Sequence, residues 1–240
     1  MWMICKKEWQ QFFGSLTGYL AIIVFLLLNG LLLFVFPDYN LLDFGYASLG
    51  SFFNLAPFIL LFLVPTITMR SFADEYKSGT FEILKTLPLQ PFDIVAGKFF
   101  GALLIVVAAL VPTIIYAVSL QQLSSIGGID IGATIGSYIG LVLLGAVYIA
   151  VGICASSFTN NTVVAFIAGA FVCFILYNGF DAISKLPVFK AWLDYYIEML
   201  GINFHYRSIS RGVVELRDLI YFLGLIIVLL LITKRNLIKR

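Results

Sequence analysis

Six long apolar runs decide what this chain can become. They cover residues 16–36, 52–69, 98–120, 132–157, 162–180 and 217–233 of a 240-residue sequence. Each is close to the ~20 residues that cross a ~30 Å hydrocarbon layer as a helix. Lipid offers no water to backbone N–H and C=O groups, so a spanning segment has to satisfy them internally. The runs are continuously apolar and do not alternate, which excludes the pattern of a transmembrane barrel. The expected fold is an all-α integral membrane protein with six transmembrane helices. Composition agrees: 61% of the residues are apolar and 12% are charged, against roughly 45–50% and about 25% in soluble domains. The first run is longer than the apolar part of a signal peptide and has no small-residue cleavage site after it, so it is read as a retained span.

Lysine and arginine placement orients the spans, because cytoplasmic loops carry the excess of both. Lys6 and Lys7 precede the first span; Lys234, Arg235, Lys239 and Arg240 follow the last. Both termini are therefore expected in the cytoplasm, which an even number of spans requires. The connection between the second and third spans, with Arg70, Lys77, Lys85 and Lys98, falls on the same side. Ten of the 15 basic residues then lie inside and five (185, 190, 207, 211 and 217) outside. The expected location is the cytoplasmic (inner) membrane, crossed several times. The whole chain, 1–240, reads as one transmembrane domain with an interfacial segment over 1–15, a cytoplasmic region over 70–97 and an external segment over 181–216.

The flanking segments carry helical patterns of their own. Trp2, Cys5, Trp9, Phe12 and Leu16 recur at helical spacing, with Lys6, Lys7, Gln10 and Gln11 between them. Such a helix lies along the inner interface as an elbow, with Trp2 and Trp9 at headgroup depth and Lys6 and Lys7 in the aqueous layer. It serves either as an anchor or in an active role. On the outside, Phe189, Trp192, Leu193, Tyr196, Ile197 and Leu200 form an apolar stripe opposite Lys190, Asp194 and Glu198. This predicts an amphipathic helix on the outer surface or on the span ends, ended by Gly201–Ile202–Asn203. His205, Arg207 and Arg211 then fall in a connecting stretch.

Several chemistries are excluded. Cys5, Cys154 and Cys173 have no paired spacing and read as small buried apolar side chains. His205 is the only histidine, so metalloprotease pairs and most metal cages are ruled out. A phosphate loop ending at Gly97–Lys98 needs glycine at 92 and serine or threonine at 99, and both positions are phenylalanine. The span interiors carry no Asp, Glu, Lys or Arg, unlike many ion-coupled carriers. Asn29, Thr66, Thr113, Tyr116, Tyr148 and Asn178 read as helix–helix hydrogen-bonding groups. Gly132, Gly136 and Gly140, four apart, make a smooth helix face for close packing, either within the bundle or against another subunit. Gly97 and Gly101 repeat this more weakly. LVPTI occurs twice, at Leu63–Ile67 and Leu110–Ile114, and its prolines are expected to bend both helices.

One charged island interrupts the oil: Arg70 to Lys98. Ser78–Gly79 breaks or caps what precedes it. Thr80 to Leu87 reads as two turns of helix with Glu82 and Lys85 three apart, and Pro88 and Pro91 stop it. Ser78 or Thr80 is placed to cap it. The result is a short helix across the inner face, presenting Phe81, Ile83, Leu84 and Leu87 to a partner's groove, or a loop that only covers the span ends.

At these residues the chain resembles a known family. Arg70, Phe72, Ala73, Glu75, Gly79, Thr80, Glu82, Leu84, Leu87, Pro88 and Gly97–Lys98 are similar to the region between the second and third spans of ABC type-2 permeases. The likeness extends over the elbow helix, the six spans and the external segment. Within the family the chain is most similar to the gliding-motility-associated permeases of the GldF group. The resemblance implies a permease subunit, an exporter linked to gliding motility, driven by separate ABC ATPase subunits that dock on a cytoplasmic coupling helix. Glu75, Gly79, Thr80, Phe81, Glu82, Leu84, Lys85 and Pro88 are the residues it assigns to that contact. It implies no enzyme and no cofactor on this chain, with ATP and Mg on the ATPase. It also implies a second permease bundle, from the same or a related chain, and leaves room for an accessory membrane subunit; no nucleic-acid partner is expected. The alternative is a non-transporting scaffold or mechanotransmission subunit of an ATPase complex.

Overall fold

The computed structural model describes residues 1–36, 48–86, 90–124, 128–185 and 193–239, with Ile83, Lys85, Thr86 and Leu193 by their backbones alone. Among these the chain is helical, without strands: α1 (Trp2–Phe13), α2 (Leu16–Phe34), α3 (Gly50–Thr68), α4 (Ala73–Ser78), α5 (Thr80–Thr86), α6 (Pro91–Leu110), α7 (Ile114–Leu123), α8 (Ile131–Phe158), α9 (Thr162–Phe174), α10 (Phe180–Ser184), α11 (Leu193–Met199), α12 (Ile202–Ile209) and α13 (Leu216–Lys239). Six helical stretches are long and apolar enough to cross a membrane: 16–34, 50–78, 91–123, 131–158, 162–184 and 216–239.

Local chemistry sets the helix starts. Ser15, Asp130 and Asn161 each accept a backbone N–H of the first turn of α2, α8 and α9, at 3.2, 3.0 and 2.9 Å. Pro91 opens α6, where its missing N–H costs nothing. That start lies seven residues before the expected span, so Lys98 sits in the second turn of a helix rather than at its edge. Pro112 stands in a single 3₁₀ turn, Val111–Thr113, between α6 and α7. Pro57 and Pro65 lie inside α3. A π-turn, Ile175–Gly179, joins α9 to α10.

The bundle is built around α8. Its apolar stretch is 78% buried, against 22% for those of α2 and α9–α10. It packs on α3, α6, α9, α12 and α13. Small residues let these helices close in. A Cβ at Gly152 would collide with the Thr68 side chain of α3. A Cβ at Gly145 would stand 3.1 Å from Val106 of α6. The polar side chains within the spans divide. Asn29 and Thr66 donate to carbonyls of their own helices, Phe25 O and Phe62 O at 2.8 Å each. Of the six expected to bridge, Thr113, with Tyr138 at 3.1 Å, and Tyr116, donating to Leu26 O at 3.3 Å, do so. The buried Tyr148 hydroxyl has no partner among the described residues, which corrects that reading.

Gly136 and Gly140 face the chain's own segment 206–212. A Cβ on Gly136 would lie 3.0 Å from Gly212 Cα, and one on Gly140 2.8 Å from the Ile209 side chain. Gly132 is exposed. Gly212 itself adopts φ +87 against Ala133, a conformation open to glycine alone at so close an approach. The segment over 181–216 differs from expectation. Its first part, Phe189–Trp192, lies outside the described residues. Gly201 ends α11 and also opens α12, so Ile202 and Asn203 begin a helix instead of ending one. His205, Arg207 and Tyr206 belong to that helix, not to a connecting stretch.

α12 is pinned from three sides. Tyr206 is 2% exposed, and its hydroxyl donates to Phe53 O at 2.7 Å. Burial pushes this phenol well above its ordinary pKa. His205 donates from Nε2 to Met199 O at 2.9 Å, shares a 2.7 Å bond between Nδ1 and Asp218 Oδ1, and stacks on Tyr221. Asp218, 2% exposed, is an acidic residue in the first turn of α13. Replacing Gly152 or Gly140 by valine is expected to force α8 from α3 or from α12. Overpacking of this kind costs about 1–3 kcal/mol, to be read as a lowered Tm of the detergent-solubilised chain, with Gly132→Val as the unaffected control.

Candidate functional site

The end of the bundle that carries the 70–98 island is organised by one buried ammonium. Lys98 projects from α6 and is 1% exposed. All three of its hydrogens are engaged: Glu8 Oε1 of α1 at 2.8 Å, Glu75 Oε1 of α4 at 3.0 Å and Ser71 O at 2.6 Å. The Phe72 ring stands 4.9 Å away. Lys7 adds a second cation, donating to the same Glu75 oxygen at 2.9 Å. Two lysines and two glutamates thus form a neutral cluster. This corrects the reading of charge-free spans: Lys98 lies within a long apolar helix, and protein covers it.

α1 reaches this position because α6 offers a bare face. A Cβ on Gly97 would lie 2.8 Å from Ile4 Cβ, and one on Gly101 the same distance from Glu8 Cβ. Glycine at both places therefore seats the elbow helix against α6 and carries Glu8 to Lys98. Cys5 packs in the same seam, and burial together with the Glu8 carboxylate pushes its thiol above its ordinary pKa. Trp2 and Lys6 are exposed, while Trp9 packs on Phe13 with ring centroids 4.5 Å apart.

The corner between α3 and α4 hangs on a serine of the central helix. Ser156 Oγ accepts the N–H groups of Phe72 and Ala73 at 3.0 and 3.1 Å and donates to Met69 O at 3.0 Å. Gly79, with φ 71, ends α4 in the left-handed region and turns the chain into α5. Phe81 then locks α5 down: it is 4% exposed and meets Tyr76 edge-on at 4.8 Å and Phe72 at 6.4 Å.

The residues singled out for partner contact therefore divide. Glu75 and Phe81 point into the chain, which corrects the placing of Phe81 in a partner's groove. Leu84 is half-buried on the core. Gly79, Thr80 and Glu82 are exposed, together with Lys77 and Ser78. Pro88 lies outside the described residues, as does the Lys85 side chain. Ser78 Oγ donates to Asp74 O at 2.7 Å and meets Thr80 Oγ1 at 2.9 Å, so it closes α4 rather than capping α5. Sequence reasoning missed Glu8 and Ser156. Glu8 looked like a surface charge of an amphipathic helix, and Ser156 a small residue in an apolar run. The only signal for the first was the Gly97/Gly101 spacing opposite α1.

The site holds an exposed corner on a rigid buried mount and no cluster of metal-ligating side chains among the described residues. Removing one member of a buried ion pair costs about 3–5 kcal/mol, because the other charge stays behind. Lys98→Met is expected to lose this much, whereas a half-exposed ion pair such as that of Lys7 is worth under ~1 kcal/mol. Thermal melts of the two methionine variants in detergent check this, and equal shifts would contradict it.

The comparison with known proteins bears on what such a corner serves. No curated protein matches the chain. Residues 2–233 match the family described as ABC-2 family transporter protein, so the match takes in the elbow helix, the corner and all six spans. The chain belongs to the ABC-2 transporter family, as a multi-pass membrane permease component and not the ATPase.

Proposed function

We propose that this chain is the membrane half of an ATP-driven exporter and that a separate ATPase chain engages it through the exposed Lys77–Glu82 corner. The supporting observation is the mounting of that corner. Lys77, Ser78, Gly79, Thr80 and Glu82 are exposed, while Glu75 and Phe81, on the same two helices, are fixed to Lys98 and to the Phe72–Tyr76 rings. A push on Thr80 is thereby delivered to α1 and α6 together, rather than absorbed by a loop. Motion of a two-state bundle follows if the ATP-bound partner contacts one arrangement better than the other.

In this reading both termini and the corner lie in the cytoplasm and the membrane is the inner one, as the Lys and Arg distribution indicates. Two bundles, from this chain or a related one, flank the path. ATP and Mg belong to the partner. The link to gliding motility rests on the sequence resemblance, and an accessory subunit would join the same complex.

The test is a pull-down with the ATPase that accompanies the wild-type chain. Lys77→Glu with Glu82→Lys reverses two exposed charges without touching the buried mount. It is expected to reduce ATPase recovery at least ~10-fold, the effect of losing about 1.4 kcal/mol at a contact centre, with unchanged insertion and Tm of the permease. Full recovery would overturn the assignment. Reconstituted vesicles then decide the alternative: ATP turnover tied to an outside protein, with no solute moved, would make the complex a mechanotransmission scaffold.

A further inference from the structure

Beside the Lys98 cluster lies a half-open cavity of about 480 Å³ with charged and apolar lining, walled by α1, the start of α2, the end of α3, α4, Thr80 of α5, and Ala102 and Ile105 of α6. An apolar groove of about 370 Å³ runs between α2 and α3. Thr17, Thr66, Met69 and Arg70 line both, so the cavity opens into the groove.

The groove follows α2 from Leu16 to Leu28 and α3 from Arg70 back to Ile59. Twelve residues of helix rise roughly 18 Å, about one leaflet of a ~30 Å hydrocarbon layer. A spanning helix from a second copy would need a seam of full height. An acyl chain needs one leaflet. The groove's rim is exposed and apolar, with Leu20 at 57%, Val24 at 44% and Phe62 at 61%.

The polar end has matching chemistry. Glu8 and Glu75 line it but are committed to Lys98. The half-exposed charges are Lys7, which also donates to Glu75 Oε1 at 2.9 Å, and Arg70 and Asp74, whose Nε and Oδ2 stand 3.9 Å apart. A ligand's charges would join these existing pairs, with part of each group still open. Arg70 Nη1 donates to Thr17 Oγ1 at 3.3 Å, which holds the guanidinium over the first turn of α2. That turn carries no acidic residue, and its N–H groups add partial positive charge. Outside the buried Lys98 pairs, the half-exposed Lys7 and Arg70 beside a helix start, with Asp74 next to Arg70, match the charge order of a phosphodiester followed by an ammonium.

We propose that the chain binds one glycerophospholipid with an ethanolamine headgroup here. The phosphodiester sits on Arg70 and Lys7 at the start of α2, the ammonium on Asp74, and one acyl chain in the groove along Leu20, Val24 and Phe62. The cavity is also lined by Ser78 and Thr80 of the corner proposed above to meet the ATPase; lipid binding is measured on the chain without the ATPase, so the two proposals fail separately.

Native mass spectrometry of the full chain in mild detergent tests it. Synthetic phosphatidylethanolamine, phosphatidylglycerol and soluble glycerophosphoethanolamine are the probes. The expected result is one phosphatidylethanolamine per chain, weaker phosphatidylglycerol and no soluble headgroup. Arg70→Gln and Val24→Trp should each weaken the lipid at least ~10-fold. Both positions are exposed, so melting temperatures should hold. Undiminished lipid in both variants overturns the site. A soluble headgroup held as tightly as the lipid overturns the lipid assignment in favour of a free phosphate site. Equal binding of phosphatidylglycerol overturns the headgroup. Loss of a two-chain assembly in Val24→Trp, with the lipid retained, overturns the groove's occupant in favour of a second copy.

Discussion

A lysine ammonium without water has to bring its counter-charges with it. Lys98 meets that requirement by drawing Glu8 from the first helix and Glu75 from the fourth to within 3.0 Å. Taking such charges out of water costs several kcal/mol per ion unless the geometry is good and the hydrogens are all used. Here they are, with Ser71 O as the third acceptor. Three segments far apart in sequence are thereby held at one point, and the elbow helix, the corner and α6 cannot move independently of it.

The rest of the bundle depends on close approach. Lipid gives helices no hydrophobic reason to associate, so packing and hydrogen bonds have to do it. Gly97 and Gly101 admit α1, Gly152 admits Thr68, and Gly136 and Gly140 admit the segment 206–212. Ser156 supplies the one polar tie by which the central helix holds the break between α3 and α4. The exposed corner is carried on the same frame, because its inner residues Glu75 and Phe81 are fixed to Lys98 and to the Phe72 and Tyr76 rings.

The far end is held differently. Tyr206 and His205 tie α12 to Phe53 O, Met199 O and Asp218. Among the described residues this end also combines a buried pair, His205 and Asp218, with exposed Lys185, Arg207 and Arg217. The two ends differ in the pair itself: one lysine shared by two glutamates at the corner, one histidine and one aspartate here.

Much of this was written in the sequence. Apolar runs of span length force helices because the backbone has no other partner in lipid, and Gly79 marks a helix end through a rule that operates within a few residues; Pro91, read as a stop, opens α6 instead. The direction of a side chain is another matter. Phe81 on a two-turn helix satisfies the same pattern whether it faces a partner or its own chain, and only the neighbouring Phe72 and Tyr76 rings turn it inward. His205 appeared to lie in a link because its helix is short and held by contacts with Asp218 and Met199, which are distant or outside its own turn. Lys98 at the edge of an apolar run looks like any lysine reaching for water. The sequence determined the helices and their breaks because those depend on neighbours in the chain. Burial of Lys98 among Glu8 and Glu75, and with it the rigid mount of the corner, was decided by tertiary structure, because those charges meet only when α1, α4 and α6 pack together.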